Sequence, residues 1–290
     1  MADNSTLPGT GEVYASDDIG GVKHQRCKMS VGPAGTAVDL SAAAPMPVLD
    51  QMLELSRGSV TGHSCINKFG ANLAIASATT EDIWDGGGTY PFPTTADITH
   101  IVQAVDQVAM RGANIEVQGL DINWALVTQT KALNAANTTT AVALDTALLR
   151  VFRMRVNADV VGDQDIHVQN VGAGTQYATM LAGNNQTLMA IYTVPAGKTA
   201  FITNYFADTL VVTAKDPKSV NFRLWVADRA NSYEFQLKHA QGINEAGTGI
   251  THVFAPYLVV TEKSDIKITA MPADKEVSAH AGFALILVDN

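Results

Sequence analysis

From residue 68 onward, short runs of alternating apolar and polar residues are separated by clusters of Gly, Asn, Asp and Thr. This is the pattern of strands that bury one face and end in tight turns. In the first half the candidate strands are FGANLAIASA from Phe69, ANIEVQGLD from Ala113, ALVTQTKAL from Ala125, TTAVALDT from Thr139 and LLRVFRMRVN from Leu148. In the second half they are QDIHVQN, QYATMLA, TLMAIYTVP, TAFITNYFAD, VNFRLWVAD, SYEFQLKHA, HVFAPYLVV, DIKITAMPA and HAGFALILVD. So many segments exceed one small sheet, and the pattern predicts a mainly β protein with two antiparallel units of jelly-roll or other Greek-key sandwich type. The polar interruption LAGNNQT, 181–187, divides them into 59–184 and 185–290. YTVPAGKTAFI reads as strand, tight turn, strand, because Pro195 fixes φ and Gly197 tolerates positive φ. The continuous apolar run FALILVD suits a central strand buried on both faces.

Ahead of these units, residues 1–45 read as an extended arm rich in Gly, Ser and Thr. Val22 to Val31 alternate loosely as a strand would, with Gly20-Gly21 before and Gly32-Pro33 after as chain breakers. Such a strand needs a neighbour, either in this chain or in another. PMPVLDQMLELSRG then places Val48, Met52 and Leu55 at helical spacing beside Leu49 and Leu53, with Pro47 in the first turn and Gly58 as the stop. A helix of this length is marginal without tertiary packing. Arm and helix form a first region, 1–58, and helix content is otherwise low.

Composition narrows the partners. Only 16 % of residues are charged, so Thr, Asn, Gln and Ser carry the polar surface, which suits equally a chain whose outside meets other subunits and an ordinary β protein with a neutral polar surface. The net charge of −9 argues against nucleic-acid binding, which needs clustered cations. The cations that do cluster, Lys23, Arg26 and Lys28 and then Arg150, Arg153 and Arg155, suit a local contact with an acidic partner surface. Cys27 and Cys65 lie in unlike contexts and imply no bridge. No apolar run is long enough for a membrane span, and MADNSTLPGTGEV lacks the basic start and apolar core of a secretory signal. A soluble chain made in a reducing compartment, without membrane association, is expected.

Candidate chemistry is sparse. His63 and Cys65 in GHSC share a strand face, but no further ligands follow at metal-site spacing. In WDGGGTYPFP, 84–93, three glycines would let backbone approach a ligand, and Trp84, Tyr90 and Phe92 could stack on the sugar ring of a glycan. Pro91 and Pro93 exclude the helix that a phosphate loop requires, and the preferred reading is a sharp crossover pinned to the sandwich by its aromatics. Asp82, Asp85, Asp97, Asp121 and Asp265 are spread over separate turns, whereas glycosidases need two acids at a set separation. Glu262 and Asp265 offer few oxygens for calcium. With no nucleophile elbow or nucleotide fingerprint either, the expectation is no enzyme, no metal and no cofactor.

Several phrases together resemble a family of tailed-bacteriophage virion proteins: DDIGGVKHQR with AAAPMPV, IWDGGGTYPFPTTA, GLDINWALVTQT, LLRVFRMRV, YTVPAGKTAFI, TEKSDIKITA and VSAHAGFALILVD. The likeness runs at low density through most of the chain. It implies a particle component whose opening segment, shared ahead of unlike downstream modules, docks on a common site of the virion. On that reading Val22, Lys23, His24, Gln25, Arg26 and Lys28 in the arm, with Trp84, Tyr90 and Phe92, are the interface candidates. The implied partners are the major capsid protein or tail proteins, with the chain itself a homo-oligomer, trimer favoured. A capsid decoration or cement protein is the leading expectation; a tail-side fibre adaptor or receptor-binding module is the alternative.

Overall fold

The computed structural model describes residues 5–6, 13–14, 16–25, 30–31, 38–40, 50–172, 174–210, 219–244 and 249–290. The chain divides into two compact units, Met1–Glu54 and Leu55–Asn290.

Among the described residues of the first unit, those before the helix form short antiparallel ribbons. β1 (Ser5–Thr6) pairs β2 (Val13–Tyr14), β3 (Ser16–Ile19) pairs β4 (Val22–Gln25), and β5 (Ser30–Val31) pairs β6 (Val38–Asp39). Gly20 and Gly21, with φ of +63° and +84°, form the two-residue turn between β3 and β4. Positive φ at both central positions is what a tight hairpin requires and what side chains resist. The glycine pair therefore joins two strands where the sequence suggested a break before one. Along Val22–Gln25 the neighbour is the preceding segment of the same arm, with Ile19 opposite Val22 and Ser16 opposite Gln25. One edge of β4 is thus paired within the arm itself, and its other edge has no strand partner among the described residues. The expected continuation through 26–29 lies outside the described residues.

α1 (Gln51–Ser56) is shorter than predicted, and the expected start at Pro47 lies outside the described residues. The Asp50 carboxylate caps it by accepting from the Met52 and Leu53 amides at 3.0 and 3.2 Å. At the other end the Gly58 amide donates to the Leu55 carbonyl.

The second unit is mainly β and sandwich-like. In chain order it comprises β7 (His63–Ile75), β8 (Glu81–Asp82), β9 (Ile98–Gln103), β10 (Asn114–Leu120), β11 (Leu126–Ala132), β12 (Val142–Leu148), β13 (Arg150–Val156), β14 (Ile166–Gln169) and β15 (Gln176–Met180). Then follow β16 (Ile191–Thr193), β17 (Lys198–Leu210), β18 (Ser219–Asp228), β19 (Gln236–Asn244), β20 (Ile250–Val260), β21 (Ser264–Pro272) and β22 (Val277–Asp289). All sheets are antiparallel, and their orders are β11-β10-β13, β12-β9-β14-β15, β16-β21-β18-β19 with β8 added on β21, and β20-β17-β22-β7.

Two apolar cores result. Ile98, Ile115, Val117, Met154, Ile166 and Val168 anchor the first, and Tyr205, Phe222, Leu224, Ile268, Phe283 and Leu285 the second. Strand β18 shows the cause: buried and half-buried positions alternate from Ser219 to Val226, directing Val220, Phe222, Leu224 and Val226 inward. β22 lies between β17 and β7 and is buried along most of its length, as the apolar run FALILVD requires. β7, from the 59–184 stretch, hydrogen-bonds along β22, so the sheets cross the division drawn at LAGNNQT. The leading strand of one half thus closes the sheet of the other.

Candidate functional site

The arm hairpin presents apolar groups to solvent. Ile19 and Val22 flank the Gly20-Gly21 tip and are 65 % and 58 % exposed. His24 is exposed as well, and Lys23 and Gln25 occupy the same strand. Arg26 and Lys28 lie outside the described residues. Among the described residues β3 and β4 form a two-stranded sheet, so each has a free edge.

The segment 84–93 turns inward. Trp84 and Tyr90 are 4 % and 2 % exposed and meet edge to face at 5.2 Å; Tyr90 meets Phe92 at 4.7 Å. The Tyr90 hydroxyl donates to the Val151 carbonyl at 3.2 Å, and burial raises its pKa. Gly87 and Gly88 take positive φ, while a Cβ on Gly86 would lie 2.2 Å from the Trp84 ring. The glycines make the sharp crossover that lets the indole fold back, and neither Trp84 nor Tyr90 keeps a face free for stacking on a glycan. As interface candidates these two are corrected to core residues. Phe92 is half-buried and borders a cavity of about 370 Å³ with Pro93, Trp124, Arg150, Arg229 and Glu234.

Beside that cavity lies an ion-pair network that spacing in the sequence did not reveal. Arg150 and Asp265, 4 % and 0 % exposed, form a two-pronged pair at 2.8 and 2.9 Å. Asp265 also accepts from Thr193 Oγ1 at 2.7 Å and Arg229 Nε at 3.0 Å. Lys267 pairs with Asp82 at 2.8 Å, whose carboxylate also accepts from the Tyr90 amide. The cations lie over rings, Arg150 over Trp124 and Phe92, Lys267 and Arg229 over Phe235. Each charge is compensated, as buried charges must be. Asp265 is thereby committed to two arginines. The cation cluster of Arg150, Arg153 and Arg155 is split among different contacts: Arg155 pairs with Glu116, and Arg153 reaches Gln186 at 3.5 Å.

The remaining sequence candidates stay apart. Cys65 is exposed and unbridged; the His63 ring faces the Thr61 carbonyl at 3.0 Å. Among the described residues no three His, Cys, Asp or Glu side chains cluster as a metal site would need. Asp85 is bound by the Leu188 amide at 2.7 Å, and burial raises its pKa to about 7.

On the outer face of the β20-β17-β22-β7 sheet, Val259, Phe201, Ile286 and Cys65 stand in one cross-strand row. Val253, Tyr257 and Val259 of β20 are exposed, and β20 is an edge strand. Apolar groups on an edge strand are a feature that proteins exploit for association. No protein-family model matches the chain, and comparison with curated proteins finds no significant match.

Proposed function

We propose that the protein is a non-enzymatic building block of a tailed-phage particle, a capsid decoration or cement protein whose N-terminal unit docks on another virion protein. The observation that carries this reading is the separate small unit of two-stranded ribbons, whose hairpin tip exposes Ile19 and Val22. A ribbon with free edges can add to a partner's sheet, where main-chain bonds give affinity and the tip side chains give register. The apolar row on the β20 sheet supports contact between copies, with a trimer favoured. A cement acts by burying area across capsomer joints, so that opening a joint also costs those contacts.

The test is particle stability together with copy number. Particles lacking the protein should release their genome at a lower temperature, and wild-type particles should carry hundreds of copies. Unchanged release would contradict cementing. About a dozen copies would move the protein to the tail, the second reading, which the cavity beside Phe92 and Trp124 supports as a receptor contact.

A further inference from the structure

A second cavity, of about 360 Å³, runs along β7 where that strand faces the β11-β10-β13 sheet. Leu126, Phe152, Tyr192 and Leu287 supply apolar walls, and Lys68, Arg153 and Lys198 supply charge; no carboxylate lines it. Lys198 is compensated by Asp289. Lys68 has no acidic partner among the described residues, and the carboxylate that Arg153 senses, Glu116, is paired with Arg155. Lys68 is 8 % exposed, and its ammonium donates to one acceptor, the Phe152 carbonyl, of the three it can serve. Arg153 has one long contact to the Gln186 side-chain oxygen.

Lys68 and Arg153 meet in a cavity that no carboxylate lines, in a chain of net charge −9, and form a site that an anion would relieve. Burial, reinforced by the Arg153 guanidinium, lowers the Lys68 pKa to about 7. The apolar walls determine what else the ligand must carry. We propose that this cavity binds a small organic anion, a carboxylate or sulfonate on a short apolar body, with its charged end between Lys68 and Arg153 and its body against Leu126, Phe152, Tyr192 and Leu287.

The titratable and charged groups around Lys68 are Arg153 with the neighbouring Glu116–Arg155 pair, Lys198 with Asp289, Cys65 and Tyr192, and burial holds the Tyr192 pKa above the ordinary phenol range. An anion placed there favours protonated Lys68, so binding at mildly alkaline pH takes up a proton. The experiment is calorimetric titration of the full chain with octanoate and with octanol, at about pH 8, in buffers of different ionisation enthalpy. One octanoate should bind per chain, at least about tenfold more tightly than octanol, with uptake approaching one proton. Arg153→Gln should weaken octanoate by about tenfold, and Lys68→Met should abolish the proton uptake. Equal binding of octanoate and octanol, no binding at millimolar concentration, or wild-type binding without proton uptake would overturn the proposal. The wild-type readouts decide it even where a variant fails to fold.

Discussion

The two units of the chain handle exposed and buried groups in opposite ways. In the second unit a buried network matches its charges: Asp265, fully buried, serves Arg150, Arg229 and Thr193 at once. In the first unit the apolar pair Ile19 and Val22 stands at the tip of a ribbon, facing solvent. Matched burial is what holds a fold together. Exposed apolar groups on a free-edged ribbon contribute little to the chain's own stability and are available to a partner. Changes in the two units should therefore affect different measurements, one the unfolding free energy and the other assembly.

The largest stability effect is expected at the network. Asp265→Ala leaves Arg150 buried and unpaired and should cost about 3–5 kcal/mol in denaturant unfolding. A loss within about 0.5 kcal/mol would mean that the pair is not holding the second unit together.

Next come two opposed pH dependences. Lys68 has its folded pKa lowered from 10.5 to about 7, so between these values the unfolded chain binds more protons. Its contribution is therefore present at high pH and lost as pH falls from 10.5 towards 7. The difference between wild type and Lys68→Met should change across that window by an amount on the order of a few kcal/mol. Asp85 has its folded pKa raised from 3.8 to about 7, so its contribution is present at low pH and lost as pH rises through that interval. Asp85→Asn retains an acceptor for the Leu188 amide and should flatten that fall in unfolding curves. A stability difference from wild type that is independent of pH, for either variant, would remove the group from this account. The smallest stability effect belongs to the arm, where Ile19→Asp together with Val22→Asp should shift unfolding by no more than about 0.5 kcal/mol.

Much of the second unit is legible in local pattern. Each of the fourteen alternating segments contains a strand, and the turn at Gly197 and the central strand at the C-terminal end follow from residue type alone. β9 escapes because Thr99 and His100 interrupt the alternation in DITHIVQ, and the front of β7 escapes because GHSCINK reads as polar. Pairing between distant segments leaves no local trace. Arg150 and Asp265 lie 115 positions apart, and β7 finds β22 from the other end of the unit. Lys68 reads as an ordinary surface lysine in INKFG; only the approach of β13 to β7 encloses it. The Gly20-Gly21 hairpin was legible in principle, since a glycine pair between two short extended runs is a two-residue turn signal, but the alternation after it drew the strand on one side alone.

The central claim, that the N-terminal unit serves assembly while the second unit carries the fold, is tested most directly by competition. Full-length chain and chain lacking residues 1–45 are mixed in equal amounts with particles stripped of the protein, and the bound fraction is weighed by mass spectrometry. The account predicts that the shortened chain keeps its unfolding midpoint and is absent from the particles. Equal incorporation of both chains would contradict it.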